Sequence, residues 1–168
     1  NPIEQAGTYR LPEAQLDRFL MKTSVGYPDH ESTVAMLADA QVRDRASLVE
    51  PIITASTVAQ MGALADSVHV DAAILSYVSL LAQESRRHPN VKLGLSARGC
   101  LAFVRVAKTW AIAHGRGHVV PDDVKMLAEP VLCHRILLDA EAQFSGVKIE
   151  DVISQLLGSV APPTDRVA

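Results

Sequence analysis

Apolar residues recur every three or four positions along most of the chain, a spacing that places them on one face of an α-helix. The first such helix is predicted from Asp29 to about Asp44, and the next two begin at Ser56 and Asp71. Asp and Ser suit a helix start because their side chains accept hydrogen bonds from free amides of the first turn. The helix from Ser56 carries an apolar face of Val58, Met61, Leu64, Ala65 and Val68. The helix from Asp71 carries a stripe of Ile74, Tyr77, Val78, Leu81 and Ala82.

The second half of the chain continues the helical pattern. Its longest helix is predicted to begin at Ser96 and to stop at Gly115 and Gly117. The expected buried stripe of that helix is Cys100, Phe103, Val104, Ala107, Ala111 and His114. Another helix begins at Pro121, because proline fits a first turn, and Pro130 is expected to kink or end it. A last amphipathic helix contains Ile149, Val152, Ile153, Leu156 and Leu157.

The first 28 residues follow a different pattern. Glu13 to Arg18 fits a short helix after Pro12, and the alternation from Phe19 to Val25 fits a single β-strand. One strand is not stable alone, so its sheet partners must lie outside these residues. We therefore expect the chain to be part of a longer protein, with residues 1–28 poorly held in the absence of their sheet.

These patterns together predict a mainly α fold, a helical bundle preceded by a short α/β remnant of another domain. We expect residues 1–28 to form the remnant and 29–55 a linking helix and connector. Residues 56–161 should form the all-α domain, and 162–168 a loose tail with Pro162 and Pro163 at its start.

Composition excludes several classes of function. Aromatic residues make up 4% of the 168 residues, so Leu, Val, Ile and Ala must fill the core, which favours helices. A formal net charge of −3 argues against nucleic-acid binding. No apolar run approaches the roughly 20 residues that span a bilayer, so no membrane insertion is expected. Cys100 and Cys133 lack CxxC spacing and are expected to be reduced, buried thiols of a cytoplasmic protein.

No metal site is predicted from the histidines. His114 and His118 flank two glycines, which break the helix that would bring both rings to one face. His114 also falls on the apolar stripe, which favours a hydrogen-bonded core histidine. The run Arg86-Arg87-His88 is expected to be a cation cluster at a helix C-terminus rather than a nucleic-acid patch.

Three stretches, read together, carry a resemblance to one family. They are Asn1-Pro2-Ile3-Glu4-Gln5 through Gly7-Thr8-Tyr9 to Leu11-Pro12-Glu13-Ala14-Gln15-Leu16-Asp17-Arg18-Phe19, then Gly94-Leu95-Ser96-Ala97-Arg98-Gly99, then Val120-Pro121-Asp122-Asp123-Val124 with His134-Arg135 downstream. In order and spacing they resemble the MoxR family of AAA+ ATPases, from residue 1 to about 158. The resemblance implies a helical AAA+ lid domain preceded by the end of an AAA+ core.

The resemblance also implies roles for three residues. Asn1 matches sensor 1, which feels the γ-phosphate of ATP and helps to place the attacking water. Arg18 matches the arginine finger, which reaches into the nucleotide site of a neighbouring subunit. Arg98 matches sensor 2, which contacts nucleotide from the lid, on its own subunit or on the next. A guanidinium suits both positions because its planar fork of donors stabilises charge on phosphate oxygens.

The sequence departs from the family pattern at Ala97, where Pro is common, at Gly99, where Ala is usual, and at Val120, where a Thr cap is common. It contains no GxxxxGK[ST] loop and no acidic strand end before Asn1 that could serve as a Walker B motif. The phosphates of ATP and its Mg²⁺ thus lack their usual ligands here. We expect the parent protein, and not this chain alone, to bind ATP with Mg²⁺ and hydrolyse it.

For the parent, the resemblance implies a ring, expected to be a hexamer, that performs chaperone-like maturation of other proteins or metal insertion into them, as in methanol dehydrogenase regulators. The client protein is not indicated. A non-catalytic helical module that binds a partner protein is the alternative, and a small DNA-binding domain is disfavoured by the net charge of −3. The position of Arg98 distinguishes the ATPase from the helical module. In an ATPase, Arg98 should lie at an exposed helix start and face the core remnant. In a module, it should be paired and covered.

Overall fold

The computed structural model describes residues 11–38 and 49–164 and confirms a mainly α fold. The described residues form eight helices and two short strands. The helices are α1 (Glu13–Leu16), α2 (His30–Ala38), α3 (Ala55–Asp66), α4 (Ala72–Arg87), α5 (Ala97–Ala113), α6 (Pro121–Leu132), α7 (Ala140–Phe144) and α8 (Ile149–Ser159). The strands are β1 (Val91–Leu93) and β2 (Leu137–Leu138), which pair antiparallel with an irregular register. No helix in the described part is both long and apolar enough to cross a membrane.

The core lies among α4, α5, α6 and α8. The whole stripe predicted on α4 is buried, and so are Val152, Ile153 and Leu156 of α8. On α5 the buried face is rotated slightly from the prediction, because Ala102 and Val106 are buried whereas Cys100 and Val104 are only partly covered. These helices bury Leu, Val, Ile and Ala around Tyr77 and Phe103, as the low aromatic content predicts.

Hydrogen-bonding side chains start several helices as the sequence predicts. Asp71 Oδ1 accepts from Ala73 N at 2.7 Å, and Ser96 Oγ accepts from Gly99 N at 3.0 Å. The predicted start at Ser56 is wrong by two residues, because Thr54 Oγ1 accepts from the Thr57 amide at 3.1 Å. Each cap satisfies an amide that the first helical turn leaves without an intrahelical partner.

The start of α6 is held by an ion pair between the partly exposed Arg116 and the buried Asp123 instead of by a side-chain cap. Val120 precedes the helix, and its side chain has no acceptor. The Asp123 carboxylate accepts from the Val120 amide at 2.9 Å and from two nitrogens of Arg116 at 2.6 and 2.7 Å. Asp123 is buried, so Arg116 supplies the charge that makes its burial tolerable. The helix then continues two residues beyond Pro130.

The loop before α5 is fixed against the end of α4. The buried Ser85 hydroxyl accepts from the Leu95 amide at 2.8 Å, and Arg86 donates to the Leu95 carbonyl at 2.7 Å. A side chain at Gly94 would collide with α4, because an added Cβ would lie 2.6 Å from the backbone nitrogen of Arg86. This close approach sets where α5 begins. Arg86 therefore has a structural partner, as expected for a cluster at a helix C-terminus.

The predicted strand from Phe19 to Val25 is wrong. Residues 11–28, here called the N-terminal segment, contain α1 followed by irregular chain. The backbone of this region bonds to the helical bundle instead of to a strand: the Lys22 amide donates to the Pro130 carbonyl at 2.8 Å. The expectation that the region is poorly held is therefore wrong for residues 17–22, whereas Val25 and Tyr27 further on are 99% and 96% exposed.

Two predictions about histidine and cysteine need correction. His114 is exposed rather than part of the core, because α5 ends one residue before it. Its ring packs on Trp110 with 4.4 Å between ring centroids, and its Nδ1 lies 2.8 Å from the Trp110 carbonyl oxygen. Cys100 and Cys133 are free thiols but only partly buried.

Some predictions fall outside the described residues. Asn1 is one of them, as is the continuation of α2 to Asp44. The predicted division of the chain into four segments stays a prediction.

Candidate functional site

A cleft of about 520 Å³ opens between the N-terminal segment and the beginning of α5. It is lined by Asp17, Arg18 and Leu20 of the segment, by Arg98, Leu101, Ala102 and Arg105 of α5, and by Arg135. We call it the arginine cleft. Four guanidinium groups and one carboxylate face it, although the chain as a whole carries a net charge of −3. Such a local excess of positive charge attracts anions.

Three of these arginines are exposed: Arg18, Arg98 and Arg105. Within residues 11–38 and 49–164, their side chains form no hydrogen bond or ion pair. Arg98 is the second residue of α5, next to its capped N-terminus, and Arg105 lies two turns further along the same helix. Unpaired guanidinium groups at the mouth of one cleft leave their donors available to a ligand.

The fourth arginine, Arg135, is buried, and both its terminal nitrogens are hydrogen-bonded, whereas its Nε has no hydrogen-bond partner among the described residues. Its side chain is 1% exposed, and its terminal nitrogens donate to the backbone carbonyls of Phe19, Leu20 and Val131. Burial lowers the pKa of Arg135, and the nearby Asp17 carboxylate counteracts that shift. A buried guanidinium is tolerable only with such partners. Arg135 thus joins the end of α6 to the N-terminal segment.

Asp17 connects Arg135 to the start of α5. Its Oδ1 lies 3.3 Å from Arg135 Nε, which is an ion-pair distance. Its Oδ2 accepts a hydrogen bond from the Ser96 hydroxyl at 2.9 Å. Ser96 is also the residue that caps α5. The Asp17 carboxylate therefore pairs with Arg135 and not with the adjacent Arg18.

Gly99 makes room for the Arg135 side chain. A Cβ at this position would lie 2.3 Å from Leu95 Cδ1 and 3.1 Å from Arg135 Cδ. Leu95 is almost fully buried, so a Cβ at position 99 would force a packed side chain to shift. A close approach inside the helical bundle therefore explains the glycine at this position, where the family that the sequence resembles usually has alanine.

His134 adds a second contact to the N-terminal segment. Its Nε2 lies 3.1 Å from the Phe19 carbonyl oxygen and must donate, because a carbonyl only accepts. Its Nδ1 is buried and has no hydrogen-bond partner among the described residues. Burial lowers the pKa of His134, so the neutral ring is the form that fits this site.

The arrangement does not fit a magnesium ion in the arginine cleft. Mg²⁺ prefers oxygen ligands, and the carboxylate that lines the cleft is already engaged by Arg135 and Ser96. Elsewhere in the described part, donor atoms of Glu129, Cys133 and Glu150 lie within 4.8 Å of one another. Burial and the two carboxylates raise the pKa of Cys133 to about 11, so at neutral pH the thiol keeps its proton and is a poor ligand. The absence of a metal site stays a prediction.

The structure thus brings together Arg18 and Arg98, two of the three residues for which the family resemblance implies roles. The third, Asn1, lies outside the described part. Sequence reasoning missed the parts played by Arg105, Asp17 and Arg135. One signal was present: Arg135 stands in the largely apolar run 131–138, where a charge that folding buries must find a partner.

Comparison with known proteins places the chain in a family. Residues 83–156 match the model of the AAA lid domain, and residues 1–21 match that of the ATPase family associated with various cellular activities. The chain is 37% identical over its whole length to protein YeaC of Bacillus subtilis, covering 52% of that protein. It is 32% identical to Chaperone MoxR1 of Mycobacterium tuberculosis over 97% of the chain and 45% of the relative.

A third relative is Protein MoxR of Paracoccus denitrificans, 31% identical over 82% of the chain and 46% of the relative. A crystal structure of a candidate ATPase from Cytophaga hutchinsonii superimposes with a TM-score of 0.83 and 30% identity, over 98% of the chain and 52% of that structure. The chain spans about half the length of these relatives. The chain belongs to the MoxR family of AAA+ ATPases and carries that family's lid domain.

Proposed function

We propose that the arginine cleft binds the terminal phosphates of ATP, in a MoxR-type ATPase that couples nucleotide hydrolysis to chaperone-like work on other proteins. The observation that carries the proposal is the gathering of Arg18, Arg98 and Arg105, exposed and without partners in the described part, around one cleft. Three guanidinium groups at one cavity suit a polyanion better than any neutral ligand.

In this proposal the chain contributes charge stabilisation. Negative charge spreads over the γ-phosphate oxygens as the phosphoryl group is transferred, and guanidinium donors held in place stabilise it. The phosphate-binding loop and the ligands of Mg²⁺ are absent from this sequence, so another part of the protein must supply them. Asn1 of this chain, as sensor 1, would help to place the attacking water.

The shared cleft also bears on whether Arg98 acts within its own subunit. Arg18 is proposed to reach the nucleotide of a neighbouring subunit, and it lines the same cleft as Arg98. A phosphate group bound in the cleft would therefore lie beside both residues. We therefore infer that both arginines act on one nucleotide, held by the neighbouring subunit of a ring.

The wider role is proposed from the relatives. AAA+ family membership implies a ring, for which we propose a hexamer in the cytoplasm. One relative is named a chaperone and others are named MoxR. A role in maturing client proteins or in inserting their metal, as for methanol dehydrogenase, is consistent with those names.

The experiment is a comparison of steady-state ATPase rates of the full-length protein and its Arg18→Ala and Arg98→Ala variants, with ring size measured for each. We expect Arg18→Ala to keep its ring and to lose about a thousandfold or more in kcat, as a finger supplied in trans does. Arg87→Ala is the matched control, since that side chain is 73% exposed and forms an exposed ion pair with Glu84. Wild-type rates in both test variants would refute the assignment.

The alternative is a helical module that binds a partner protein. The observation in its favour is the apolar face of α3, where Val58, Met61 and Leu64 are each more than half exposed. Arg98, however, is exposed at a helix start and faces the N-terminal segment across the cleft, the placement expected for an ATPase. If the chain is such a module, ATP hydrolysis by the full-length protein should be unchanged when either arginine is replaced.

A further inference from the structure

We propose that Arg135 and Asp17 are positioning residues that hold Arg18 and Arg98 in a fixed relation, so that both arginines meet the same phosphate. The proposal rests on the function proposed above, since it explains how that site is kept in shape. Neither residue is proposed to touch the nucleotide.

The first step is that Arg135 holds the chain on both sides of Arg18. Asp17 precedes Arg18 and forms an ion pair with Arg135 at 3.3 Å. Phe19 and Leu20 follow Arg18, and their carbonyls accept from the same guanidinium. The backbone of Arg18 is thereby fixed while its own side chain stays exposed.

The second step is that Asp17 carries this constraint to α5. One carboxylate oxygen faces Arg135, and the other accepts from Ser96, the cap of α5. Arg98 follows Ser96 by two residues. A single carboxylate therefore links the chain at Arg18 to the helix start that presents Arg98.

The third step is that the geometry requires an arginine. Three carbonyl oxygens and one carboxylate surround the guanidinium, which offers five N–H donors in a rigid planar fork. A lysine offers one nitrogen on a flexible stem and cannot reach all four acceptors at once. Arg135→Lys should therefore keep the positive charge but lose some of the contacts with the three carbonyl oxygens and the carboxylate.

Hydrogen exchange of the Lys22 amide tests the attachment directly. This amide donates to the Pro130 carbonyl, so its protection reports whether the N-terminal segment stays on the lid. In the full-length protein we expect Arg135→Met and Asp17→Asn each to accelerate this exchange about tenfold or more, because hydrogen bonds to a charged group are lost. Arg105→Met is the matched control, since this arginine lines the same cleft without a partner in the described part.

Arg135 is in the core, so its loss could weaken the whole lid. Asp17 is 24% exposed, and Asp17→Asn keeps the size of the side chain and an oxygen that can accept from Ser96. Exchange at the Val91 amide, which donates to the His88 carbonyl in the bundle, shows whether the lid itself stays folded. Protection of Lys22 that is unchanged in Asp17→Asn would overturn the proposal.

ATPase kinetics of the same variants separate positioning from general stability. We expect Asp17→Asn to lower kcat severalfold in intact rings while the KM for ATP stays within about twofold, because misplaced finger residues act on the transition state. If Lys22 exchange rises but kcat is unchanged while Arg18→Ala is impaired, the contacts are only structural and the positioning proposal fails. If Arg18→Ala and Arg98→Ala are both fully active, the proposed function fails instead.

Discussion

The helical bundle and the N-terminal segment of this protein are stabilised by different kinds of interaction. The bundle buries one continuous apolar core from α4, α5, α6 and α8. The segment contains a short helix with no buried residue and is attached through polar contacts of Asp17, Phe19, Leu20 and Lys22. Burial spread over many residues makes the bundle tolerant of any one surface change, whereas the placement of the segment depends on a few directional bonds.

This difference matters because the arginine cleft lies at the boundary. One wall, α5, belongs to the bundle, and the other belongs to the segment. The relative position of Arg18 and Arg98 is therefore only as secure as the polar contacts between the two regions. Three substitutions test this difference between the bundle and the segment: one in the bundle, and two where the regions meet.

The largest effect is expected inside the bundle, at its ion pair between Arg116 and Asp123. Arg116→Met leaves a carboxylate that is 4% exposed without its cation, which typically costs about 3–5 kcal/mol. Urea unfolding should show the loss. The exposed pair of Arg87 with Glu84 is the control, and Arg87→Met should change stability by less than about 0.5 kcal/mol. Equal effects of the two substitutions would contradict the burial argument.

An intermediate effect is expected where the two regions meet, at Gly99. Alanine gains up to about 1 kcal/mol in helix propensity. At Gly99 the new methyl group would collide with Leu95 and press on Arg135, at a cost of about 1–3 kcal/mol. We expect Gly99→Ala to lower the urea midpoint and to accelerate exchange of the Lys22 amide.

Helical glycines without such a neighbour provide the control for Gly99. An added Cβ at Gly62 of α3 or at Gly158 of α8 would have no atom within 4 Å. Gly62→Ala and Gly158→Ala should therefore be neutral or stabilising. If Gly99→Ala behaves like them, the contact between Gly99 and Arg135 is not tight.

The smallest effect is expected on acidification, through His134. Burial lowers its pKa in the folded state below that of the unfolded chain. The unfolded state therefore takes up the proton first, so this contribution is fully present above the unfolded pKa of about 6.5 and is lost as pH falls toward the folded pKa. We expect His134→Gln to remove this share of the decrease in the free energy of unfolding on acidification.

Urea unfolding of wild type and His134→Gln between pH 8 and 5 measures this contribution. His114→Gln is the comparison, because that ring is exposed on the bundle. If the free energy of unfolding of wild type falls no more steeply with decreasing pH than that of His134→Gln, His134 does not titrate during unfolding.

Much of the bundle was predictable from the sequence, and less of the site. The stripe on α4 and the caps Asp71 and Ser96 depend on residues within a few positions of each other, and all three predictions are confirmed. Arg98 stands at a helix start because Ser96 caps that helix, which is also local information. The selection of Arg18 came from a family motif and not from local physics.

The sequence by itself determined the apolar stripe of α4 and the caps Asp71 and Ser96, because periodicity and capping act over one or two turns. The tertiary structure decided that residues 19–22 bond to the end of α6 instead of forming a strand, and that Arg18, Arg98 and Arg105 share one cleft. Arg135 lies 115 residues beyond Leu20, and Ser96 lies 79 beyond Asp17. No local pattern encodes which distant carbonyl a buried guanidinium will bind, since that choice is made only when the packed core brings the two together.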